Sequence, residues 1–203
     1  MSTATTVTLY TPDDLLQMPD GDQYELVDGI LVERKMSTLS SYVAGELHTN
    51  LNLYSREHRQ GWAFPEGTGY QCFPGHPAKV RKPDTSYVRR ERLTPEQVQA
   101  GGYLTVVPDV AAEVVSPNDL YYEVDVKVNE WLEAGVQLVW VINPDTRKVR
   151  VYRADASDVT LRAHDELSGE DVIPGFKCRV GDLFQLLSAA TSNSSGSEQQ
   201  NSS

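Results

Sequence analysis

Residues 110–115, VAAEVV, constrain the fold of this chain more than any other stretch. Side chains alternate across a strand. Val110, Ala112 and Val114 therefore share one face, and Ala111, Glu113 and Val115 share the other. Apolar residues on both faces mark a central, buried strand. Glu113 does not suit such a place. Burying an unpaired carboxylate costs on the order of several kcal/mol unless a proton, a partner or a metal compensates. Glu113 thus either pairs with an arginine inside the sheet or belongs to a site.

The pattern around this strand is β-rich with two long helices. Thr11 and Pro12 open a short helix over 11–18. Two β-prone runs flank Asp28-Gly29 and predict a hairpin over 23–35. Val43, Leu47, Leu51 and Tyr54 recur at helical spacing within 40–58. Strands are expected around 62–73 and 83–90, with a helical turn at 93–98. After the central strand, Ser116-Pro117 leads into a helix over 119–134, closed by Gly135. Residues 137–143 and 148–153 form a further hairpin, followed by short strands and a last turn at 180–187. The fold class is α/β (α+β): a mixed sheet flanked by helices, with β-hairpins near both ends. We expect one domain over 1–187. Residues 188–203, SAATSNSSGSEQQNSS, are too polar to bury a core and read as a disordered tail.

The net charge of −11 argues against broad, sequence-independent affinity for nucleic acid, although local basic clusters stand at 79–92 and 147–153. No apolar run is long enough to cross a membrane, and the N-terminal residues lack the pattern of a signal peptide. The expected compartment is the cytoplasm. Cys72 and Cys178 are too isolated for a zinc or redox motif, and the four histidines form no metal-binding pattern.

Three further residues join Glu113 as candidates. Asp84 follows Pro83 at the mouth of a short strand. It either starts a turn or shares a hard divalent ion with Glu113, since carboxylate oxygens are what Mg²⁺ selects. On a helical wheel starting from Leu120, Lys127 falls near −20°, beside Trp131 and Val124, while Glu123, Asn129, Glu130 and Glu133 take the polar face. A lysine on that margin snorkels outward, pairs with Glu123, or meets a carboxylate. Glu25, in YELV, taken alone reads as a strand residue facing solvent.

The ordered series YELVDG (24–29), RKPDTSYV (81–88), PDVAAEVVSPND (108–119), Lys127 with EWLEAGV (130–136), and VWVINPDTRKVRVYR (139–153) resembles the Uma-two family of restriction-endonuclease-like proteins, within the PD-(D/E)xK nuclease superfamily. The resemblance spans about residues 10–186. It implies a restriction-endonuclease-like core and a Mg²⁺-dependent phosphodiesterase site, with Mn²⁺ as substitute. Asp84 and Glu113 match the family's metal-binding acids, joined by the Val114 carbonyl. The superfamily's usual lysine position is Val115 here, and Lys127 matches the lysine that this family carries on the next helix. Glu25 matches an acidic residue of the first strands. Lys79, Arg81, Lys82, Arg89 and Arg90 flank Asp84 and would contact phosphates. The implied partner is nucleic acid, most simply DNA, and a homodimer would suit double-strand cleavage. The alternative is an interaction module that keeps the nuclease fold without turnover.

Overall fold

The structure is a computed structural model and describes residues 8–187. The expected disordered tail, 188–203, lies outside the described residues. The chain opens with helix α1 (Pro12–Gln17), whose cap Thr11 and residue Asp14 exchange hydrogen bonds with each other's backbone N–H. The hairpin of β1 (Tyr24–Val27) and β2 (Ile30–Glu33) follows. Its two turn residues, Asp28 and Gly29, both have positive φ (51° and 86°), as a tight two-residue hairpin requires.

Helix α2 (Thr38–His58) starts at the capping box of Ser37 and Ser40. Strands β3 (Gly61–Pro65) and β4 (Thr85–Arg89) are next, then short helix α3 (Pro95–Gln99). The strand expected over 62–73 stops at Pro65. A turn with Gly67 at φ 88° breaks it, and beyond it Tyr70 makes isolated bridges to Arg81 and Leu104. Strand β5 (Val110–Val114), helix α4 (Tyr121–Ala134) and strand β6 (Leu138–Asn143) form a parallel crossover unit. Gly135 ends α4 at φ 103°. Strands β7 (Lys148–Arg153), β8 (Asp158–Arg162), β9 (Glu166–Ser168) and β10 (Lys177–Arg179) complete the chain, with a final 3₁₀ turn.

The main sheet has six strands in the order β3-β4-β5-β6-β7-β8, antiparallel except for the β5–β6 pair. Strand β5 is interior and buried along its length. Its Val110, Ala112 and Val114 pack on one face with Val43, Leu47 and Leu51 of α2. Ala111 packs on the other with Val128, Trp131 and Ala134 of α4. Glu113 shares the face of Ala111, so alternation aims its carboxylate at α4. Leu120, the zero of the helical wheel, is the exposed N-cap of α4 rather than part of its buried stripe.

Candidate active site

The β4–β5 ladder places the two central carboxylates side by side. Thr85 pairs with Ala112. One step outward in that register, Asp84 stands opposite Glu113, where directly opposed side chains have Cβ atoms about 5 Å apart on the same face. The Asp84 backbone N–H donates to the Ala112 carbonyl at 3.0 Å, anchoring the strand mouth. Its Oδ2 accepts from the Val114 N–H at 2.7 Å, and its Oδ1 lies 3.5 Å from Arg34 Nη2.

Helix α4 reaches down onto Glu113. Trp131 Nε1 donates to Glu113 Oε1 at 2.9 Å, and Lys127 Nζ lies 3.3 Å from Oε2. The same Nζ is 3.3 Å from Glu25 Oε2. Glu25 is buried, which corrects the solvent-facing reading of that residue. Its Oε2 also accepts from Arg81 Nη1 at 2.9 Å, and its Oε1 accepts from the Lys82 N–H at 2.8 Å. Beyond it, Glu130 accepts from Arg81 Nε at 2.7 Å and from Lys79 Nζ at 2.8 Å. Charges of opposite sign thus alternate from Glu113 through Lys127, Glu25, Arg81 and Glu130 to Lys79.

The electrostatics separate the acids. Burial and the adjacent Glu113 charge push Asp84 up to about 7, against the opposing Val114 hydrogen bond, Lys127 and Arg34. Burial also raises Glu113, offset in part by Lys127. Burial would raise Glu25 as well, but Lys127, Arg81 and the Lys82 N–H outweigh it and hold the group down at about 2. For Lys127, burial favours the neutral amine, yet Glu113, Glu25 and Asp84 together raise its pKa. Lys127 is therefore a cation at neutral pH, while Asp84 and Glu113 are both pushed toward holding a proton and Glu25 is not.

All four expected residues, Asp84, Glu113, Lys127 and Glu25, line one cavity of about 220 Å³. Val32, Met36, Tyr122 and Val126 form part of its wall. Of the expected phosphate contacts only Arg81 lines this cavity. Lys79, Arg81 and Lys82 are buried. The charges of Lys79 and Arg81 are committed to Glu130 and Glu25, and Lys82 Nζ donates to the Gly21 carbonyl at 2.7 Å. They cannot also reach into solvent for a phosphate. Arg89 and Arg90 stand at the opposite end of β4, where Arg89 Nε is 3.0 Å from buried Asp109. Lys127 does not pair with Glu123, which instead meets Lys35.

Sequence reasoning missed Trp131 as a donor, Arg34 as the partner of Asp84, and Glu130 as a largely buried acid. The wheel assigned Glu130 to the polar face, and nothing local reveals that residues 79–81 fold over it. An indole on the same helical face as Lys127 was the one available signal for Trp131.

A mixed sheet with an acidic pair at a strand mouth and a lysine reaching it from the next helix defines a nuclease-like protein of the restriction-endonuclease type. The Uma2 family, described as "Putative restriction endonuclease", matches residues 12–181, and the chain belongs to that family. Among solved structures it resembles a "putative nuclease" of DUF820 from Anabaena variabilis. That likeness has 23% sequence identity and a TM-score of 0.72, and covers 87% of this chain and 98% of the other; it establishes the shared fold. No curated protein matches the chain. Among the described residues no helix is long and apolar enough to cross a membrane.

Proposed function

We propose that the protein is a Mg²⁺-dependent endonuclease, with Mn²⁺ as a substitute, that hydrolyses phosphodiester bonds in nucleic acid, most simply DNA. The observation that carries this reading is the meeting of Asp84, Glu113 and Lys127 in one cavity, with Lys127 Nζ 3.3 Å from Glu113. Among the described residues no group of three or more His, Cys, Asp or Glu side chains is arranged to hold a metal ion. A pair of carboxylates still fits Mg²⁺, which is usually held by one or two of them and completes its shell with water and substrate oxygens. The raised pKa of Asp84 supports the fit, because it reflects negative charge that the protein leaves under-compensated and a cation relieves. The Val114 carbonyl supports it too. The Val114 N–H points to the β4 side, and in an antiparallel ladder a residue's N–H and C=O face the same neighbour.

Asp84, Glu113 and the Val114 carbonyl would therefore hold the ion. When bound, it polarises a phosphoryl oxygen and lowers the pKa of an associated water. Lys127, kept protonated by its acidic neighbours, sets a positive charge where the pentacovalent phosphate accumulates negative charge. Both oxygens of Glu25 are engaged by Lys82, Arg81 and Lys127, so Glu25 acts by positioning the lysine. Val32, Met36 and Val126 add apolar surface to the cavity wall. On this reading the protein works in the cytoplasm, and a homodimer would present two such sites to opposite strands.

Calorimetric titration with Mg²⁺ and Mn²⁺ tests the metal site: binding is expected for the wild type and lost in Asp84→Ala and Glu113→Ala. Equal binding by the wild type and Glu113→Ala overturns it. Nicking of supercoiled DNA, with Lys127→Ala as control, tests turnover. One observation favours the second reading, a nuclease fold without turnover. Lys127 already pairs with both Glu113 and Glu25, which reduces the need for a second cation. Metal binding with DNA and RNA left intact would support that reading.

A further inference from the structure

The end of β4 remote from Asp84 gathers a second set of cations. At about 3.3 Å per strand residue, Arg89 stands about 17 Å from Asp84. Helix α2 ends there, with Arg56 in its last turn and Arg59 as its left-handed cap at φ 54°. Two cavities adjoin. One, of about 450 Å³, is lined by Arg59, Gln60, Tyr87, Arg89 and Arg90 among others. The other, of about 420 Å³, shares Arg59 and Arg90 and adds Asn52, Arg56 and Trp62.

Arg56, Arg59 and Arg90 make no ion pair among the described residues; Arg147, Lys148, Arg162 and Arg179 make none either, but only the first three line the two cavities. The Arg90 guanidinium lies 5.0 Å over the Trp62 ring, which fixes it at the surface. Glu91 and Asp171 share the rim of the larger cavity, and Glu91 is 3.6 Å from Arg89. At this end of the molecule the unpaired positive charge is thus on Arg56, Arg59 and Arg90.

A second, independent feature points to a ligand. Tyr87 Oη and Gln60 Oε1 are buried with no hydrogen-bond partner, and both residues line the larger cavity. Tyr87 is 0% exposed, and burial pushes its hydroxyl up to about 12, so it is an O–H donor at neutral pH. A buried donor without an acceptor is costly, which favours a ligand that brings one. At Gly61 an added Cβ would stand 2.3 Å from Tyr87 Oη, so a glycine is what lets the chain pass beside the hydroxyl. Guanidinium forks match phosphate oxygens in geometry and charge.

We propose that this end of the molecule is a second contact surface for a nucleic-acid backbone, in which Arg56, Arg59 and Arg90 neutralise phosphates and Tyr87 Oη donates to a phosphate oxygen. The choice of nucleic acid as partner rests on the nuclease reading. The surface answers a need of that site, where Lys127, Arg81 and Arg34 are all engaged with carboxylates.

Fluorescence anisotropy with a labelled single-stranded oligonucleotide, in EDTA so that neither metal nor cleavage contributes, tests the surface. The double variant Arg59→Ala/Arg90→Ala is expected to bind at least about tenfold more weakly. Its log–log salt slope should fall by about 1.4, from about 0.7 per lost phosphate contact. Tyr87→Phe removes a hydroxyl that has no partner, so it should weaken binding several-fold while leaving the thermal midpoint unchanged or higher. Binding by the double variant equal to the wild type overturns the proposal. So does no binding by the wild type, or competition by inorganic phosphate or a mononucleotide as effective as by the oligonucleotide. Arginine-dependent binding with no cleavage on adding Mg²⁺ would leave this surface standing and remove the nuclease reading. Cleavage at unchanged KM by the double variant would remove the surface alone.

Discussion

Lys127 and Glu113 meet across the gap between helix α4 and strand β5, Nζ to Oε2 at 3.3 Å, and the same ammonium reaches Glu25 at 3.3 Å. One cation thus holds two buried carboxylates that come from separate sheets. Several measurable consequences come from this cluster.

Lys127→Met keeps the bulk of the side chain and removes its charge. Glu113 and Glu25 then lose their shared cation. Breaking a fully buried pair costs about 3–5 kcal/mol; with the lysine side chain 26% exposed, we expect about 2 kcal/mol. Urea denaturation at pH 8 should show the loss, since Glu25 stays ionised there and needs its cation. A stability unchanged at pH 8 would contradict the pairing.

Asp84 sets a pH dependence of opposite sign to that of an ordinary paired acid. Its pKa of about 7 in the folded protein lies above the ordinary 3.8. The folded state holds the proton more tightly, so this contribution to stability is complete below about 3.8 and lost as pH rises through 7. Asp84→Asn removes the titration. The metal-free variant should gain on the wild type between those limits by up to about 4 kcal/mol. Parallel stability curves for the two proteins would show that Asp84 is not so perturbed.

Glu25 behaves conversely. Held down at about 2 from its ordinary 4.5, it stabilises the fold above pH 4.5, and that contribution is lost as pH falls through 2. Glu25→Gln leaves Arg81 and Lys127 short of a counter-charge in a buried setting and should cost about 3 kcal/mol at pH 7. Chemical denaturation at pH 7 measures it, and a variant as stable as the wild type would contradict the buried network.

Trp131→Phe retains an aromatic ring against Tyr70 and Phe73 but deletes the 2.9 Å hydrogen bond to Glu113. Leaving a buried carboxylate oxygen one donor short should cost about 1–3 kcal/mol. Denaturation of Trp131→Phe, followed by circular dichroism, checks the cost. Glu113 should also titrate at higher pH, visible by carboxyl NMR. Titration unchanged from the wild type would remove Trp131 from the site.

Much of the architecture is legible locally. Thr11-Pro12, Asp28-Gly29 and Gly135 each mark a boundary that the structure realises within a residue or two. Such boundaries depend on the φ and hydrogen-bonding habits of one or two residues. The face of Glu113 follows from the period of a strand, and the approach of Lys127 from the period of a helix. The basic run at 79–82 misled for the same reason. Lysines and arginines in sequence read as solvent-facing, whereas the acids that neutralise them, Glu25 and Glu130, lie some fifty residues away in either direction.

The sequence by itself determined most of the elements, the faces of Glu113 and Lys127 along them, and the acidic pair and lysine worth testing. Tertiary structure alone decided what each side chain meets. It turned Glu25 inward, spent Lys79 and Arg81 on Glu130, and brought Arg56, Arg59 and Arg90 to one end of the sheet. The physical reason is one of range. Backbone periodicity is set by neighbours in the chain, whereas a buried charge is decided by ångström-scale distances between elements, and those exist only once the helices have packed on the sheet.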